Sequence, residues 1–231
     1  MGMLPHPVMN PTDSPINDEA GIALDEARNL AKKSDYAGAL ERHEWFHHNA
    51  LRIRPAYQGV RLSFALGSWR TLAAKYPPAL ASLRTLRDNQ VRRLMSGTAP
   101  PESFQEVAAL NRHLDEEDST LSLFRELDQT HLDLARQCFG YISEQILAAD
   151  PSLFLRHSPD LEAYAHRQRD QFLTIRESLS QQLPRTQPLV AKADAEFIQL
   201  CRALEALATS MGQTDLAKRI AGLSNLTLLE N

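Results

Sequence analysis

The sequence predicts an all-α protein of antiparallel helical hairpins, stacked as a repeat array or packed as an irregular bundle. Apolar residues recur at helical spacing through most of its length, and prolines and short polar turns cut that pattern into segments of roughly ten to twenty residues. No stretch shows the period-two alternation of a half-buried strand.

Composition agrees with a folded chain. At 231 residues, 43% hydrophobic and 23% charged, the protein has enough apolar side chain for a substantial core, and it is neither collagen-like nor compositionally disordered. No apolar run approaches the roughly 18 residues of a membrane span. The N-terminus MGMLPHPVMNPTDSP has prolines where a secretion signal needs an unbroken apolar segment. Cys138 and Cys201 lie far apart, each inside an apolar helical pattern, as buried reduced thiols do. These features place the chain in the cytoplasm.

Residues 1–16 hold four of the thirteen prolines and read as a flexible arm, with a single helical domain expected over 17–231. Asn17 or Asp18 can cap a first helix to about Lys33, and Ser34-Asp35-Tyr36 turns the chain. A second helix runs from about Tyr36 to Ile53 and stops at Arg54-Pro55, because proline lacks the amide donor and clashes with the preceding turn. A third, about 56–75, carries Val60, Phe64, Leu66, Trp69 and Leu72, and Tyr76-Pro77-Pro78 ends it. The fourth, about 79–95, turns Leu80, Leu83, Leu86, Val91 and Leu94 inward and ends at Ser96-Gly97. Pro100-Pro101 opens a fifth helix to about Leu114. Helices near 119–127, 131–149, 160–182, 189–211 and 214–222 follow, broken by Asp150-Pro151 and Leu183-Pro184.

Ser34-Asp35-Tyr36-Ala37-Gly38-Ala39-Leu40, followed by Ala50-Leu51-Arg52-Ile53-Arg54-Pro55, resembles the turn, second helix and terminal proline of a tetratricopeptide repeat, in a degenerate form. The resemblance implies close helix approach through small residues, a role for Ala27 and Ala39. The second helix is about one turn longer than that family's. Gly212 to Ala217 resembles another such turn, and Ile146 to Pro151 another repeat ending. The segment from Trp45 through Pro78 also looks like uncharacterised bacterial helical proteins, which implies no activity.

The sharpest chemical motif is His43-Glu44-Trp45-Phe46-His47, the HExxH pattern of zinc metallopeptidases, on a predicted helix. Histidines at i and i+4 share a helix face, so His43 and His47 would be the zinc ligands and Glu44 the general base. Against this, Tyr36, Ala39, Phe46, Ala50 and Ile53 define an apolar stripe that includes His43 and borders His47, so both read more simply as packed histidines. No glutamate lies between Glu44 and Glu102 to act as third ligand; Asp88, Glu102 and His113 remain, none in a motif.

Charge is segregated along the chain. Arg52, Arg54, Arg61, Arg70, Lys75, Arg84, Arg87, Arg92 and Arg93 face a single acid, Asp88, within 52–93, whereas Asp115-Glu116-Glu117-Asp118 centres an acidic stretch. Nucleic-acid binding through 52–93, with Tyr57, Trp69 and Tyr76 as stacking groups, is set against a net charge of −4 and a pI near 6.1. A basic face paired with the acidic helices, or docking a protein, fits better. His113, His131, His157 and His166 show no ligand spacing, neither cysteine has a neighbouring base, and no GxSxG elbow or phosphate-binding glycine loop is present.

The function expected from these features is non-enzymatic protein–protein interaction, of helical-repeat adaptor or toxin-neutralising type, with no cofactor. Arg84, Arg87, Arg92 and Arg93 are the expected contacts to another protein or peptide, including an acidic one, and self-association is compatible with the charge pattern. The alternatives are a zinc-dependent hydrolase built on 43–47 and a nucleic-acid binder.

Overall fold

The computed structural model describes residues 18–181 and 186–225, which form helices joined by short turns with no β-strand among them. The predicted arm over 1–16 and the break at Leu183-Pro184 lie outside the described residues. The chain divides into two compact units, one ending at Cys138 and one beginning at Phe139 for the described part.

In the first unit, α1 (Glu19–Lys32) and α2 (Tyr36–Ile53) pack along one another. Asp18 caps α1 by accepting from the Gly21 amide, and Asp35 caps α2 by accepting from Gly38, so each helix start has a side-chain acceptor for an otherwise orphaned N–H. Between them Ser34 takes a positive φ of 65°, which lets the chain reverse in three residues. Ala20, Ala27, Ala39 and Ala50 are wholly buried. Such small side chains permit close approach of packed helices.

After Arg54, the chain passes through a 3₁₀ turn (Pro55–Tyr57) and a helical turn α3 (Gln58–Val60), then a π turn (Arg61–Ala65), before α4 (Leu66–Ala73). The expected continuous helix over 56–75 is therefore interrupted. Its core face is Leu62, Ala65, Leu66, Trp69 and Leu72, so of the apolar residues expected on this helix Leu66, Trp69 and Leu72 are buried while Phe64 is 71% exposed. Phe64 lies two residues from both Leu62 and Leu66, about half a turn round any helical cylinder, and cannot share their face.

The rest of this unit is α5 (Pro77–Met95), α6 (Glu102–His113), α7 (Asp118–Thr130) and α8 (Leu132–Cys138). Pro77 and Pro78 open α5 rather than precede it, because a proline in the first turn removes only an N–H that has no helical partner. Gly97, with φ of 67°, closes α5, its amide bonding the Leu94 carbonyl at 3.0 Å. One core cluster joins Leu62, Leu66, Trp69 and Leu72 to Leu83 of α5 and to Ala109, Leu110 and Leu114 around α6.

The second unit begins where the expected helix over 131–149 breaks, at the 3₁₀ turn Phe139–Tyr141, and continues with α9 (Ser143–Ala149). A further helix, α10 (Pro151–His157), follows where only a break was expected. Asp150 caps it by accepting from Leu153, and Pro151 occupies its first position, so the dipeptide that ends α9 also starts a helix. The long α11 (Leu161–Ser180) and α12 (Gln187–Ser210) pack together, with α13 (Thr214–Leu223) against both. The rings of Phe172 and Phe197 stack with centroids 4.6 Å apart.

Candidate functional site: a buried polar cluster on the HExxH helix

The motif helix α2 turns His43 and His47 inward, 1% and 3% exposed, because both fall on the face that also buries Ala39, Phe46 and Ala50. His43 stacks on Trp69 of α4 at 5.8 Å between centroids and 14° between planes, and His47 meets the same indole nearly edge-on at 6.1 Å. Burial pulls the His43 ring down to about 4, with the charge of Arg28 acting in the same direction. The imidazole is neutral at pH 7 and behaves as an aromatic core residue.

His47 faces a different environment. Its Nε2 lies 2.8 Å from Oε1 of Glu106 on α6, and Arg61 of the π turn places Nη2 2.8 Å from Oε2 of the same carboxylate. Arg61 Nε also donates to the His47 carbonyl at 2.8 Å, and Gln90 of α5 donates to Glu106 Oε1 at 3.2 Å. Four elements thus converge on one carboxylate. Arg61, Glu106 and His47 are all buried, as ionic groups rarely are unless paired.

The protonation states follow from these partners. Burial alone would raise the Glu106 carboxyl, but the His47 hydrogen bond and the Arg61 charge override it and hold it at about 2. Glu106 is ionised, so it can only accept. His47 is lowered, burial outweighing the pull of Glu106. A neutral imidazole bonded to a carboxylate carries its proton on Nε2 and donates it there, so Arg61 Nη2, 2.9 Å from the same nitrogen, finds no acceptor on it and bonds the carboxylate instead. The imidazole Nδ1 is then a bare acceptor, and this atom has no hydrogen-bond partner.

A zinc site built on the motif does not fit these residues. Glu106, missed by sequence analysis, stands where a third ligand would be wanted, yet it and His47 are bonded to each other and both face the permanent cation Arg61. His43 lies flat on an indole. Glu44, the expected general base, accepts from Ser82 Oγ on α5. Asp88 is exposed and bonded to Arg87, Glu102 is exposed, and His113 faces the Leu62 carbonyl inside the π turn. Among the described residues no group of three or more His, Cys, Asp or Glu side chains is arranged to hold a metal ion.

The four arginines expected to contact a partner separate into two pairs. Arg87 is mostly covered, its Nη1 bonded to Glu116 at 2.6 Å and to Asn111 at 2.9 Å, and Arg84 reaches Glu116 at 3.4 Å. Arg70 pairs with Asp115 at 3.1 Å. The basic and acidic stretches of the sequence therefore meet within this unit. Arg92 and Arg93, in the last turn of α5, are exposed and, among the described residues, reach only the amide oxygens of Asn89 and Gln90 one turn back. Of the three aromatic residues considered for stacking on bases, Tyr57 and Trp69 are buried.

Arg61 and Glu106 carried a signal in the sequence. Each interrupts an apolar stripe, Arg61 beside Leu62 and Ala65, Glu106 between Ser103 and Leu110 and next to Val107. A charged residue on a core face requires a buried partner of opposite sign. Which residue answers which is decided only when the helices assemble.

No family model matches this chain, and no match was found among curated proteins or solved structures.

Proposed function

We propose that this is a non-enzymatic, cytoplasmic protein-binding module of tetratricopeptide-like hairpins, which docks an acidic segment of a partner on the C-terminal end of α5 through Arg92 and Arg93. The observation that carries this reading is the contrast along one helix. Arg84 and Arg87 have a carboxylate partner within the unit, whereas Arg92 and Arg93 are exposed with none among the described residues. Each exposed guanidinium can bind a carboxylate through two parallel N–H···O bonds. The closed polar cluster around Glu106 supports a structural rather than catalytic role for the HExxH helix.

The test is affinity capture from lysate with the intact protein and with an Arg92→Glu/Arg93→Glu variant, each eluted with rising salt. The module reading expects a partner retained by the intact protein, released by salt and lost in the variant, while an Arg84→Glu variant retains more of it. Equal capture by the intact protein and the double variant would remove α5 from the binding surface. About one zinc per chain in freshly purified protein, lost on His43→Ala/His47→Ala, would replace the module reading with a metal-dependent one.

A further inference from the structure

We infer that the unit beginning at Phe139 carries a cleft for a small organic cation, a protonated amine attached to an apolar body. The cleft has a volume of about 460 Å³ and lies among α9, α11 and α12. Its floor is apolar, formed by the stacked rings of Phe172 and Phe197 together with Leu200. Two carboxylates line it, Glu144 from α9 and Glu196 from α12, and Gln168 of α11 adds an amide.

The electrostatics of the cleft select the sign of the ligand. Glu144 and Glu196 are both exposed and line the same cleft, and the Glu144 carboxyl is raised, by desolvation and by the charge of Glu196, as two like charges facing one space require. Glu144 has no cationic partner among the described residues. Lys192 lies 3.7 Å from Glu196, but both side chains are well exposed and one turn apart on the same helix. Such a pair is worth little in water, and it leaves Glu144 uncompensated. An ammonium group beside both carboxylates relieves their repulsion, while its apolar body fills the cleft against the largely buried Phe172, Phe197 and Leu200. An anion would meet two like charges, and a neutral apolar ligand would leave the repulsion in place.

The probe is benzylammonium, titrated at pH 7 into the full chain labelled with ¹⁵N and followed by amide chemical shifts. Benzyl alcohol, which has the same ring without the charge, is the comparison. The expected result is shifts at Glu144, Phe172 and Glu196 with benzylammonium, about tenfold weaker binding of the alcohol, and a loss of about tenfold for Glu144→Gln/Glu196→Gln. Either single variant, each altering an exposed side chain, decides the matter with a loss of about threefold should the double variant fail to fold. No shifts at the cleft with benzylammonium, equal binding of the alcohol, or unchanged affinity in the folded variants would overturn the assignment. The outcome is separable from that of the docking arginines, since neither glutamate belongs to α5.

Discussion

Replacing Glu106 with glutamine keeps the side-chain volume and removes the one negative charge at the centre of the buried cluster. Arg61 then remains buried with a permanent charge and no carboxylate, and the new amide must turn its N–H groups toward Arg61, which cannot accept, or toward His47, which accepts only after its proton moves to Nδ1. Removing one partner of a buried pair typically costs about 3 to 5 kcal/mol, because the surviving charge is left uncompensated. A second route gives a similar figure. A carboxyl held at about 2 against an ordinary 4.5 contributes about 3 kcal/mol at neutral pH. The sign is that of a depressed acid: the contribution is fully present above pH 4.5 and fades as pH falls toward 2. Urea unfolding followed by tryptophan fluorescence measures the effect in the right place, since both tryptophans, Trp45 and Trp69, lie in the unit ending at Cys138. The double variant Arg61→Leu/Glu106→Leu should be less destabilised than the sum of its single changes, by at least about 2 kcal/mol. A cost below about 1 kcal/mol for Glu106→Gln, or simple additivity in the double variant, would refute the idea that these groups hold one another in place.

His43 gives a separate pH signature. Its folded ring titrates at about 4 and an ordinary histidine at 6.5, so below 6.5 the unfolded chain takes up a proton that the folded one refuses. Stability should fall by up to about 3 kcal/mol between pH 6.5 and 4, and His43→Leu should flatten that part of the curve measured by urea titration. Phe64→Ser should change stability by no more than about 0.5 kcal/mol, whereas Leu66→Ala, two residues away and wholly buried, should cost about 2 to 5 kcal/mol in the same assay. Both cysteines are buried, and burial pushes the Cys138 thiol up to about 12 and Cys201 up to about 11. The native protein should therefore resist a thiol-labelling reagent at pH 8 and react with two equivalents once unfolded; rapid labelling of the folded chain would contradict the packing of α8 or α12.

Local sequence determined most of the helices, because their signals act over one or two turns. Asp18 and Asp35 cap, Pro55 terminates, Pro77 and Pro101 occur in or beside first turns, and Gly97 takes the positive φ that ends α5. The same local rules placed His43 and His47 on an inward face, which made packed histidines a sound reading of HExxH. The π turn at Arg61–Ala65 carried no such punctuation, and the break at Phe139–Tyr141 carried only Gly140, a signal that a helix interior also tolerates. What tertiary structure alone decided is which distant groups meet. Glu106 lies 59 residues from the histidine it bonds, and Glu116 lies 29 from the arginine it covers. Helical periodicity tells only that Glu106 faces inward. The cost of burying its charge explains why it must find a cation, and the packing of α2, the π turn, α5 and α6 supplies Arg61.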